Sequence, residues 1–68
     1  MKLALAWALT RDRVLPARRV RPGDLVLELH GWERVTRVDP GEGVTLRYAG
    51  GACRYAHPRA PFRVRRLP

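Results

Sequence analysis

The sequence predicts a mainly β protein, a small five-stranded barrel preceded by an N-terminal strand or short helix. Three observations carry that expectation. Turn-forming residues recur at close intervals, at Pro22-Gly23-Asp24, His30-Gly31, Asp39-Pro40-Gly41, Gly50-Gly51 and His57-Pro58 with Pro61. Between them lie short runs rich in Val, Leu, Thr and aromatic residues, which is how strands are punctuated in small all-β folds. Within several of those runs apolar and polar side chains alternate, the period of a half-buried strand.

The first clear strand runs from Leu25 to Leu29, with Leu25, Leu27 and Leu29 on one face and Val26 and Glu28 on the other. Gly31 supplies the positive φ of a tight turn, and Trp32 to Val38 returns as the second strand. Val35 and Val38 are three residues apart, so both reach the core only if a bulge sits near Thr36 or Arg37. After Pro40-Gly41, Val44, Leu46 and Tyr48 form an inward face, with Thr45 and Arg47 outward. Gly50-Gly51 is read as a glycine-requiring hairpin turn. Cys53 and Tyr55 then alternate with an outward Arg54. The stretch from His57 to Pro61 is irregular, because proline removes a ladder donor. Phe62 and Val64 close the barrel, with Arg63 and Arg65 pointing away. The expected core is Leu25, Leu27, Val44, Leu46, Phe62 and Val64, with Trp7 and Phe62 the aromatics most suited to it.

The opening Leu3-Ala4-Leu5-Ala6-Trp7-Ala8-Leu9 alternates large residues with alanine, as a strand does, yet Leu and Ala are strong helix formers. Both readings stay open. As a strand it must pack on the barrel, pair with it, or pair with a second copy, since an apolar edge left bare invites association. The division is one domain over residues 1–68, an arm over 1–21 and the barrel over 22–67.

The phrase Arg21-Pro22-Gly23-Asp24-Leu25-Val26, followed by Gly31-Trp32 and Val35-Thr36-Arg37-Val38, resembles the opening hairpin of KOW- and Tudor-like domains. The resemblance extends over residues 22–67 and implies an SH3-like small barrel. Such barrels host many functions, so the resemblance does not select one.

Composition narrows the functional classes. The chain has 14 basic residues against 6 acidic ones, for a net charge of +8 over 68 residues. Arginine dominates over Lys2, and Ile, Asn, Gln and Ser are absent, as a GC-rich genome (a bacterium or a phage) would write. Codon bias explains arginine in place of lysine, but not the excess over Asp and Glu. That excess points to a polyanion or an acidic protein face as partner. The single cysteine, Cys53, rules out an internal disulfide and suits a reducing, cytoplasmic setting. The apolar run from Leu3 to Leu9 is far short of the ~20 residues that span a bilayer, so no membrane role is expected.

Catalytic material is sparse, and no enzymatic activity or cofactor is expected. Serine is absent, and Thr10, Thr36 and Thr45 lie at a strand end or on outward faces. Cys53 and His57 on one strand would stand about 13 Å apart, too far for a thiolate–imidazole pair; a buried cysteine and a turn histidine is the expectation. One Cys with His30 and His57 lacks the paired spacing of a zinc site. Asp24, Asp39 and Glu42 are expected in turns, capping backbone donors.

The arginines are the one constellation left. Arg34, Arg37, Arg47, Arg54, Arg63 and Arg65 fall on outward positions of the expected barrel. A second cluster, Arg11, Arg13, Arg18, Arg19 and Arg21, lies in the arm. Guanidinium forks match phosphate oxygens with paired hydrogen bonds. Trp32, Tyr48 and Tyr55 are the aromatics on which bases could stack, Trp32 and Tyr55 foremost. The expectation is nucleic-acid binding, to DNA or RNA, through Arg18, Arg19, Arg21, Arg34, Arg37, Arg47, Arg54, Arg63 and Arg65 with little sequence specificity. The alternative is an adaptor or inhibitor, such as a phage or accessory factor, that docks on an acidic protein face.

Overall fold

The computed structural model describes residues 12–66, so the segment from Leu3 to Leu9, Trp7 and Arg11 lie outside the described residues. The chain is mainly β. Its strands are β1 (Asp12–Pro16), β2 (Leu25–Glu28), β3 (Gly31–Asp39), β4 (Val44–Tyr48), β5 (Cys53–Ala56) and β6 (Pro61–Arg65), with a 3-10 turn at Ala17–Arg19. They form one antiparallel sheet in the order β1-β6-β2-β3-β4-β5. This corrects the five-strand expectation: Asp12–Pro16, assigned to an arm, is a sixth strand that pairs β6 from Asp12↔Arg65 to Pro16↔Pro61. Among the described residues no ladder joins β5 to β1 or β6, so the sheet is open.

Local chemistry sets the turns. Asp24 donates its amide to the Arg21 carbonyl at 3.1 Å across Pro22 and Gly23. With proline second and Gly23 at φ 94, this is the pattern of a type II turn. The β4–β5 connection is the four residues Ala49-Gly50-Gly51-Ala52, rather than a two-glycine turn. Only Gly51 has positive φ, and its amide reaches the Tyr48 carbonyl at 3.0 Å, as in hairpins that end on a left-handed residue.

The expected bulge in β3 is present. Val35 pairs with Tyr48 while Arg37 pairs with Arg47, so Thr36 is the extra residue. Its Oγ1 donates to the Arg47 carbonyl at 3.1 Å, which satisfies an acceptor that the broken ladder leaves over. The bulge lets Val35 be buried and Val38 pack against the same core.

That core is Ala17, Val20, Val26, Val35, Val44, Leu46, Tyr48, Phe62 and Val64. Val44, Leu46, Phe62 and Val64 are buried as expected. The phase of β2 is reversed: Val26 is fully buried, Leu25 only half-buried, and Leu27 is 39% exposed. The register explains it, because Val26 lies opposite Val64, whereas Leu27 lies opposite Trp32 on the outer face. Three leucines gave β2 a false apolar face, and the neighbour opposite Val26 decided which face is covered.

The phase of β5 is reversed as well. Cys53 and Tyr55 are exposed on the outer face, so Cys53 is not a buried cysteine. Arg54 instead lies opposite Leu46, in the inward phase. Its guanidinium stands 5.8 Å from the Phe62 ring centroid and 3.4 Å from Glu28 Oε1, capping the end of the core. Tyr55 reaches back over buried Gly43, where an added Cβ would meet the Tyr55 ring at 2.5 Å and the Ala56 carbonyl at 2.9 Å.

Leu46→Ala is expected to cost about 2–5 kcal/mol, most of the stability of so small a domain, and to leave it largely unfolded in a urea melt. In the same assay Val26→Ala is more damaging than Leu27→Ala. The reverse ranking would contradict the β2 register.

Candidate functional site

Two proline-marked segments build the site. β1 ends on Pro16, and the chain turns through Ala17–Arg19 into the Arg21–Asp24 turn. The 3-10 turn docks on the His57–Ala60 turn, with the Ala17 amide 2.9 Å from the Ala60 carbonyl and the Arg18 amide 3.0 Å from the Pro58 carbonyl. Ala17 is fully buried there, and this forces its neighbours Arg18 and Arg19 outward. Beside them, Arg13 on β1, Arg21 before the turn and Arg66 after β6 line a cleft of about 450 Å³ together with Leu15.

Arg66 is fixed by Asp24, which is buried. Its Nε and Nη2 donate to the two carboxylate oxygens at 2.9 Å each, and Nη2 also reaches the Arg19 carbonyl at 3.2 Å. The Arg21 amide donates to Asp24 Oδ2 at 2.9 Å, so Asp24 does cap a backbone donor as expected. Burial pushes the Asp24 carboxyl up. The Arg66 hydrogen bond, the Arg21 amide and the two guanidinium charges outweigh it, and the carboxyl sits below its ordinary value of 3.8. It is therefore ionised at neutral pH and takes up one of the cleft's positive charges. Arg13, Arg18 and Arg19 have no acidic partner among the described residues, and Arg21 forms no salt bridge there, although its charge acts on Asp24.

The arginines expected on the sheet are differently placed. Arg37 and Arg47 sit opposite one another, and both donate to Asp39, at 2.6 and 2.7 Å. Asp39 thus bridges two strands instead of capping a turn, and the Arg47 and Arg37 contacts hold its carboxyl low. Arg54 pairs with Glu28. Arg65 is half-buried, donates to Asp12 at 2.9 Å and stacks 4.4 Å from the Trp32 ring centroid, which covers the indole. Arg34 and Arg63 are exposed with no acidic partner among the described residues. Of the expected residues, then, the structure gathers Arg18, Arg19 and Arg21 into one cleft. It does not bring Arg34, Arg37, Arg47, Arg54, Arg63, Arg65, Trp32 or Tyr55 into it.

Tyr48 is no stacking platform either: it is buried, and its hydroxyl donates to Glu28. Burial and the Glu28 carboxylate both push its ionisation up. Arg66 was missed by the sequence reading; its one signal is a basic residue following the last strand, which pairing with β2 returns to the Asp24 turn.

Among the described residues no group of three or more His, Cys, Asp or Glu is gathered as metal ligands, and no helix is long and apolar enough to cross a membrane. His57 Nδ1 accepts from the Arg59 amide at 3.1 Å, a turn contact. No protein-family model, curated protein or solved structure matches the chain.

The Asp24 carboxyl is lowered on folding, so its contribution is complete above about pH 4 and is lost as pH falls through the depressed folded value. Urea melts across pH 2–6 are expected to show a flatter acid limb for Asp24→Asn than for wild type. At neutral pH, Arg66→Ala is expected to cost about 1–3 kcal/mol, because it strands a buried acceptor. An Asp24→Asn profile parallel to wild type would contradict the assignment.

Proposed function

We propose that the protein binds nucleic acid through its phosphates, with the arginine-lined cleft as the anchoring site and no catalytic step. The observation that carries this reading is the convergence of Arg13, Arg18, Arg19 and Arg21 on one concavity, none of them held in a salt bridge among the described residues. Such a grouping is electrostatically costly in the free protein and is relieved by an anion. Phosphate is an anion that guanidinium forks meet with two parallel hydrogen bonds. Arg34 and Arg63 extend the positive surface on the sheet, whereas Arg37, Arg47, Arg54 and Arg65 are committed to Asp39, Glu28 and Asp12. Recognition by phosphate contacts alone gives binding with little sequence preference. The order β6-β2-β3-β4-β5 agrees with the SH3-like reading, in which β1 is an added strand flanking β6.

An adaptor that docks on an acidic protein face is the second reading. It is favoured by the exposed Leu27 and Leu29 near the β2–β3 turn, which phosphate binding leaves unused.

The test is fluorescence anisotropy with labelled single-stranded and duplex oligonucleotides over a salt series. Log affinity is expected to fall linearly with log salt, at about −0.7 to −0.9 per phosphate neutralised. Arg18→Ala, Arg19→Ala and Arg21→Ala each reduce the slope by about one without unfolding the protein, while Arg37→Ala leaves it unchanged. Absence of binding to every oligonucleotide at low salt overturns the proposal and favours the adaptor.

A further inference from the structure

We infer that the cleft holds the terminal phosphate of a nucleic-acid strand, a monoester, in preference to the diesters along its length. The inference rests on the nucleic-acid reading above and deepens it. Its first ground is shape. The cleft is about 450 Å³, the size of a small-molecule site, and suits a single strand end.

The second ground is the direction from which the arginines come. Arg13 belongs to β1, Arg18 and Arg19 to the 3-10 turn, Arg21 to the segment before β2, and Arg66 to the chain after β6. An anion between them is met from several chain segments at once. A diester has two of its oxygens tied into the strand, which must enter and leave, and it carries a single charge. A terminal monoester presents three free oxygens and roughly −1.5 to −2 of charge. It therefore uses more of these guanidinium groups than a diester in the same place.

The third ground is the state of Arg66. Asp24 and the Arg19 carbonyl take its Nε and Nη2 and leave Nη1 with no acceptor among the described residues. One guanidinium of the cleft is thus held in place before any ligand arrives, with donors still to spend. Preorganised donors of this kind lose little freedom on binding. Leu15, the one apolar residue of the lining, offers a surface for the adjoining sugar.

The experiment compares 3′-labelled single-stranded oligonucleotides of one sequence bearing either a 5′-phosphate or a 5′-hydroxyl, by anisotropy at fixed salt. The phosphorylated strand is expected to bind roughly tenfold more tightly, the effect of about one added charge-assisted hydrogen bond. In Arg18→Ala and Arg21→Ala the two strands converge in affinity. In Arg59→Ala, which lies outside the cleft lining, the difference persists. Inorganic pyrophosphate displaces both strands, and more of it is needed to displace the phosphorylated one. Equal affinity for the two strands overturns the terminal-phosphate inference and leaves the nucleic-acid reading standing. Failure of both strands to bind overturns both. A free nucleoside triphosphate that binds as tightly as the phosphorylated strand also overturns the inference, since the site would then serve a soluble nucleotide.

Discussion

The structure turns on one buried carboxylate. Asp24 receives Arg66 on both oxygens and the Arg21 amide on one of them, and its backbone carbonyl accepts from the Val35 amide at 2.8 Å. Gly23 completes the tie by donating to the Val35 carbonyl at 2.7 Å. The turn before β2, the middle of β3 and the residue after β6 thus meet at a single residue, through its side chain and its backbone carbonyl. With only nine buried apolar residues among those described, a domain of this size has little other cohesion to draw on. Because Asp24 is paired and hydrogen-bonded, its burial is tolerated; unpaired, it would oppose folding.

The same carboxylate shapes the charge of the surface around it. The acids are spent where they hold the sheet: Asp12 on Arg65, Glu28 on Arg54, Asp39 across Arg37 and Arg47. Those pairs are largely exposed, so each adds little to stability, but together they offset part of the charge of Arg37, Arg47, Arg54 and Arg65. What remains positive is concentrated near the 3-10 turn, where burial of Ala17 drives Arg18 and Arg19 outward. Among the described residues the positive charge is therefore unevenly spread, with five arginines on the cleft. Fold and proposed function share this origin.

How much of this the sequence disclosed varied with the kind of signal. Turn chemistry was legible: Gly31 and the Pro22-Gly23 turn stand where expected, and the spacing of Val35 and Val38 demanded a bulge near Thr36 or Arg37, which lies at Thr36. Those are local constraints, written in one or two residues. Strand phase was legible where one face was clearly apolar, as in Val44, Leu46 and Tyr48. It failed in β2, where Leu25 and Leu27 outweighed Val26 on paper. It failed again in β5, where Arg54 uses its apolar stem and Glu28 to sit over Phe62. Both outcomes depend on which residue lies opposite, a long-range fact that alternation alone does not carry. The strand Asp12–Pro16 was hidden for a similar reason. Its Arg13-Val14-Leu15 centre has no clean alternation, and it is a strand because β6 pairs with it. For the site, the arm's Arg18, Arg19 and Arg21 were named, but their grouping with Arg66 required the contact between Asp24 and the end of β6.

The central claim is that phosphate is met by the cleft arginines and not by the basic residues of the sheet at large. It is tested most directly by following arginine Nε–Hε resonances during titration with a single-stranded oligonucleotide. Arg13, Arg18, Arg19 and Arg21 should shift together and saturate at one stoichiometry, while Arg37 and Arg47, held by Asp39, stay in place. Shifts of similar size across all the arginines, or the largest at Arg37 and Arg47, would contradict the account.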